Sequence, residues 1–146
     1  MRKLIPVLAI AVAGLTLTGC SAVENLLYNE VSHHYDDVAA MTDDWSGSQT
    51  VEWMPGDAFD INIRESTDGT VAILGFASAE QLECPEVERL SGPTFGDDWA
   101  PSDVFVDTVF ACGAWAMIPT DDGWYGWTPS APEEQEASQQ QQDVTP

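Results

Sequence analysis

Positive charge is almost absent from this chain of 146 residues: Arg2 and Lys3 sit at its start, and only Arg64 and Arg89 follow. Beyond residue 3 it holds 25 Asp and Glu against those two arginines, a formal charge of −23 with histidines taken as neutral. A field of that sign repels nucleic-acid phosphates and anionic headgroups, and it favours cations and basic partners. The lack of lysine after Lys3 removes Schiff-base chemistry from the body of the chain. The two histidines, His33 and His34, are adjacent. No G-x-S-x-G elbow is present; "WSGSQ" and "LSGPT" do not match it. Catalysis needs a constellation of such groups, so no catalytic residue is assigned and a non-enzymatic chain is expected.

Long apolar runs are also missing. The N-terminal one, "LIPVLAIAVAGLTL" from Leu4 to Leu17, falls short of the roughly 20 residues of a spanning helix. Preceded by Arg2 and Lys3, it has the form of a signal-peptide h-region. It runs into "LTGC", Leu17 to Cys20. This segment resembles the lipobox of bacterial lipoproteins, which implies cleavage before Cys20 and a diacylglyceryl thioether on its sulfur. Small Thr18 and Gly19 admit the backbone to the processing enzyme, and the thiol carries the lipid. The expected location is the outer face of the cytoplasmic membrane in a Gram-positive envelope, with the membrane as the partner of the lipid. Of three cysteines, Cys84 and Cys112 then remain. An exported chain meets an oxidising compartment, where two leftover thiols pair.

The composition divides the chain into residues 1–19 (signal peptide), 20–49 (lipidated cysteine, helical spacer and linker), 50–129 (β domain) and 130–146 (an acidic, Gln-rich tail). In the spacer, Leu27, Val31, Tyr35 and Val38 recur at helical spacing, and Glu30/His34 and His33/Asp37 form i,i+4 pairs. Either pair is a candidate for a weak metal site, against the plainer reading of a solvated helix face, and no metal is assigned. In the domain, Phe59, Ile61 and Ile63 alternate with Asp60, Asn62 and Arg64, the pattern of a half-buried strand. Asp68-Gly69 predicts a hairpin turn, and Thr70–Ala77 the returning strand. Ser78 with Gln81 suggests the cap of a short helical turn. "CPEVERLSGP" reads as irregular. Val104–Ile118 reads as two strands joined at Cys112-Gly113, and "WYGWT" as a short last strand. The tail lacks the large apolar residues that would order it.

One phrase occurs twice: W-x-P-x-D-x-F at Trp53, Pro55, Asp57 and Phe59, and again at Trp99, Pro101, Asp103 and Phe105. Each copy leads to a strand, a turn with glycine (Gly69 or Gly113) and a second strand. Proline fixes its own φ and extends the residue before it, and aspartate bonds nearby backbone. The expected fold is mainly β: a small antiparallel β-sandwich or rolled sheet, built from two hairpin units, behind a helical spacer. "HHYDDVA", "VEWMPGDAFDI", "TDGTVAIL", Cys84 with Cys112, and "DGWYGWTPS" together resemble a group of actinobacterial surface lipoproteins. That resemblance implies location and architecture and no activity.

Two candidate binding features remain. Among six tryptophans, those of "GWYGW" lie beside glycines, so Trp124, Tyr125 and Trp127 are the candidates for a sugar-stacking surface, against the plainer reading of core filling. Asp57 or Asp103 is a candidate for a loose calcium site. The function expected is a membrane-anchored envelope lipoprotein with a structural or partner-binding role and no cofactor. The alternative is a glycan- or wall-binding module, or a small carboxylate-dependent hydrolase.

Overall fold

The computed structural model describes residues 29–47, 50–128, 132–134, 136 and 140. The segment expected to be a signal peptide, Cys20 and Leu27 lie outside the described residues. Seven strands form one sheet: β1 (Glu30–Asp37), β2 (Phe59–Ser66), β3 (Ala72–Ala77), β4 (Glu86–Glu88), β5 (Thr108–Cys112), β6 (Trp115–Pro119) and β7 (Gly123–Trp127). Their order across the sheet is β1-β2-β3-β7-β6-β5-β4, and every neighbouring pair is antiparallel. A sandwich needs two sheets facing each other; here there is one. Two three-stranded runs, β1-β2-β3 and β4-β5-β6, meet on either side of the last strand.

The helical reading of residues 30–37 is corrected. They form edge strand β1, paired with β2 from Glu30↔Ser66 to Asp37↔Phe59. A spacing of four is a multiple of the strand period of two as well as about one helical turn, so Val31 and Tyr35 fit both. What decides is β2, whose free edge takes up the backbone groups of β1. Helix α1 (Val38–Asp44) starts only where Asp37 caps it by accepting from the Ala40 amide. Two smaller expectations also change. Ser78 opens no helical turn; its hydroxyl donates to Asp57 and accepts from the Glu80 amide. The segment read as irregular contains β4, which pairs with β5 at three positions.

Strand alternation buries residues on both faces. One face gathers Ile61, Ile63, Leu74, Phe76, Trp115, Met117 and Trp124 under α1, Met54 and Leu82. The other gathers Ile73, Val109, Ile118, Tyr125 and Trp127 under Phe95, Trp99, Ala100 and Val104. Extended connections therefore do the work a second sheet would do. The β2–β3 and β5–β6 hairpins each turn at a glycine with positive φ, Gly69 at 69° and Gly113 at 60°, a region where a Cβ is strained. In the first turn Asp68 accepts from the Ser66 hydroxyl and from the hydroxyl and amide of Thr70. Those bonds, Ser66 first and Thr70 next, hold its carboxyl below the usual range.

Buried Glu30 accepts from Arg64, which also donates to the Gly96 carbonyl and to Asp97 and lies over the Phe95 ring. One arginine thus ties β1 and β2 to the connection that covers the second face. Arg89 is engaged as well, donating to the carbonyls of Val106 and Ser91 and resting on Phe105. Both arginines of the body of the chain are bound internally. In the tail, Glu134 is only 2% exposed. Its carboxylate accepts from the Leu90 and Ser91 amides and the Ser91 hydroxyl, so one acidic tail residue is docked by a small nest of donors.

Candidate functional site

Cys84 and Cys112 form a disulfide, with Cα atoms 5.2 Å apart. It joins the segment before β4 to the end of β5. His33 and His34 fall on a strand, so they point to opposite faces. His33 lies 3.3 Å from Glu65 and stacks on Tyr35; His34 Nδ1 lies 3.0 Å from Asn62 Oδ1 and 3.7 Å from Asp60. The expected Glu30/His34 and His33/Asp37 pairs are not formed, because the helix that would align them is a strand. Among the described residues no three His, Cys, Asp or Glu side chains converge closely enough to hold a metal ion.

The two aspartates of the repeated phrase serve different distances. Asp57 bridges to the end of β3, accepting from the Ser78 hydroxyl and, at 3.0 Å, from the Ala79 amide. Among the described residues Asp103 accepts from the Phe105 amide two residues on and from no other group. Replacing Asp57 by alanine is expected to cost about 1–2 kcal/mol, because two partners 21 and 22 residues away lose their acceptor. Asp103→Ala, at an exposed and purely local contact, is expected to cost about 0.5 kcal/mol or less. Denaturant unfolding of the two variants measures the difference. Equal losses would mean that the long-range bonds of Asp57 carry no stability.

"GWYGW" is the central strand β7, and the reading of it as a stacking surface is corrected. Trp124, Tyr125 and Trp127 are 3%, 2% and 0% exposed. Trp124 points into one face and Trp127 into the other, so they offer sugar no common platform. The flanking glycines have a different purpose. A Cβ on Gly123 would stand 2.0 Å from the Phe76 carbonyl oxygen, and one on Gly126 would stand 2.1 Å from Met117 Sδ. They let β3 and β6 close on β7. The phenol of buried Tyr125 is pushed up to about 12, first by burial and then by Asp97, and stays protonated across the physiological range.

Three clefts are prominent on the surface: one of about 480 Å³ is lined by Phe59, Ser78, Asp121 and Asp122 among others, and two more differ in size and lining. The larger, about 930 Å³, lies beside the disulfide and is lined by Thr50, Glu52, Trp53, Glu80 and Glu83 among others. The Trp53 indole N–H is buried and enclosed rather than turned to the opening. The smaller, about 270 Å³, lies on the second face, where Trp99 and Tyr125 meet Asp60, Asn62, Asp121 and Asp122. Trp99 sits directly over Gly75, where a Cβ would stand 2.8 Å from its ring, and it packs edge-on to Tyr125 with centroids 6.0 Å apart. Asp60 takes φ 51° at an irregularity in the β2–β3 register, a conformation Asp tolerates better than most residues. Sequence reasoning passed over this group. The sequence carries several acidic pairs, Asp36-Asp37, Asp43-Asp44 and Asp97-Asp98 beside Asp121-Asp122, and nothing local brings Trp99 to Tyr125.

No protein-family model, curated protein or solved structure matches the chain.

Proposed function

We propose that the chain is an extracytoplasmic lipoprotein, held at the outer face of the membrane through a lipid on Cys20. Its β domain binds a partner or serves structurally in the envelope and catalyses no reaction. The observation that carries this reading is the Cys84–Cys112 disulfide. It uses two of the three cysteines and fits an oxidising compartment, and the third stands in the lipobox. The two W-x-P-x-D-x-F segments fit the same reading as entries to two hairpin units flanking β7, with their prolines and aspartates shaping backbone.

Fractionation of expressing cells tests the anchor. The wild-type protein is expected in the membrane fraction with a mass increment of a diacylglyceryl group on Cys20. Two acyl chains anchor stably where one is marginal. Cys20→Ala is expected to release the protein or leave it unprocessed. A wild-type protein that is wholly soluble, with an unmodified Cys20 thiol, would sink the proposal.

A further inference from the structure

We propose that the nest formed by Leu90 and Ser91 is a binding site for a carboxylate, and that Glu134 of the chain's own tail is its built-in, displaceable ligand. This deepens the reading of the domain as a partner-binding module and is independent of the lipid anchor. Three observations support it. The first is convergence. Glu134 Oε1 accepts from the Leu90 and Ser91 amides, and its Oε2 accepts from the Ser91 hydroxyl. Adjacent amides aimed at one oxygen make the concavity with which backbone holds anions. Three donors shared between two oxygens suit a planar carboxylate. A cation would face donors alone, and a tetrahedral dianion would bring more oxygens than these donors can pair.

The second is that the nest is held by bonds in which the tail takes no part. The Arg89 amide donates to the Asp107 carbonyl at 2.9 Å, and Arg89 Nη1 donates to the Ser91 carbonyl at 3.0 Å. Trp127 Nε1 donates to Ser91 Oγ at 3.1 Å, which leaves the hydroxyl proton to point at the carboxylate. Trp127 is fully buried in β7 and Ser91 is itself buried, so the donors are fixed by the core. Removing Glu134 leaves them without their acceptor, and a buried donor left unpaired is costly. The site therefore calls for an acceptor whether or not the tail supplies it.

The third is how little of the tail is held. Of its described residues, Pro132, Glu133, Glu136 and Gln140 are exposed, and Glu134 alone is buried. Among the described residues Glu134 also makes all the hydrogen bonds of the tail. The tail thus delivers one carboxylate and little else, and a second carboxylate presented on another molecule can take its place. The acidity of the domain does not forbid this. Exposed charges are screened beyond about 8 Å at physiological salt, the donors act in contact, and the Arg89 guanidinium lies against the Ser91 carbonyl.

The test is an NMR titration of the purified full-length protein at physiological ionic strength, read at the Leu90 and Ser91 amides and the Trp127 indole N–H. The probes are Nα-acetyl-glutamate methylamide, which carries a side-chain carboxylate, and N-acetylglycine, which carries a terminal one. Acetamide and added sodium chloride are the controls. Glu134→Ala is expected to bind both probes saturably, at concentrations roughly tenfold below those that displace the tail of the wild type. Saturation by one probe alone also supports the site and identifies which kind of carboxylate it takes. Ser91→Ala added to Glu134→Ala should weaken binding while its dispersed spectrum reports an intact fold. Glu134→Gln, which keeps the side-chain size and lacks the charge, is the second variant and should also bind below the wild-type concentration. Equal probe demand in the wild type and both Glu134 variants, unsaturable shifts, or equal shifts with acetamide or chloride would overturn the proposal. None of these results depends on where the protein resides in the cell, so failure here and failure of the anchor are separately visible.

Discussion

Trp127→Ala is expected to destabilise the domain by about 3–5 kcal/mol, a large share of the roughly 5–15 kcal/mol that holds such a domain folded. Trp127 is fully buried at the end of the central strand, between Ile73 of β3 and Ala116 of β6. Its removal opens a cavity where the two halves of the sheet join. The surroundings have little freedom to collapse into that space, because both flanking strands are fixed by their own ladders. The indole N–H also donates to the Ser91 hydroxyl, which in turn donates to buried Glu134, so the substitution unpicks the docking of the tail. Trp53→Ala is the comparison. Trp53 is only partly buried, tilted against Phe76, and its loss is expected to be clearly smaller. Denaturant unfolding of the two variants decides the matter. If Trp53→Ala is as damaging as Trp127→Ala, the central position of β7 is not what holds the sheet together.

Removing the disulfide is expected to have the next largest effect. Cys84 and Cys112 are 28 residues apart, and closing a loop of that size constrains the unfolded chain by about 3–4 kcal/mol. Cys112 is fully buried, at the end of β5 and in the same cluster as Trp115 and Met117. The bond therefore ties the connection leading into edge strand β4 to the packed interior. Strand β4 has three residues and one neighbour, and its other restraints are hydrogen bonds such as Arg89 N–H to the Asp107 carbonyl, so the disulfide is the covalent tie of that edge. Cys84→Ser with Cys112→Ser, or reduction of the wild type, should lower the melting temperature by at least roughly 10 °C. Thiol counting must accompany the melt. A protein with both thiols free and an unchanged melting temperature would refute the assignment of stability to this bond.

These two predictions draw on different depths of reading. The cysteine pairing was legible from the sequence, because the expectation of an exported chain and the two cysteines left after Cys20 lead to it. So were the hairpins: Asp68-Gly69 and Cys112-Gly113 are turn chemistry, and both glycines take the positive φ that such turns require. The alternation of Ile61 and Ile63 with polar neighbours marks β2 whatever surrounds it. The role of Trp127 was not legible. Its neighbours Gly123 and Gly126 carry two opposite meanings in sequence, an exposed flexible stretch or a strand against which backbones close tightly. Only the positions of Phe76 and Met117 choose between them. The cleft beside Trp99 was hidden for the same reason: Trp99 and Tyr125 are 26 positions apart in the chain, and no short-range pattern joins them.

The sequence by itself determined the local facts: strand-forming alternation, turn positions, a disulfide-competent pair and a surface of one charge. These follow from side-chain period, backbone preference and counting, which act over a few residues. The tertiary structure alone decided that residues 30–37 are a strand, that the last strand lies in the middle of the sheet and that Trp124 and Trp127 face opposite ways. Strand pairing is hydrogen bonding between distant segments. A period of two declares that a segment has two faces, but the neighbouring strands determine where the segment lies and what covers each face.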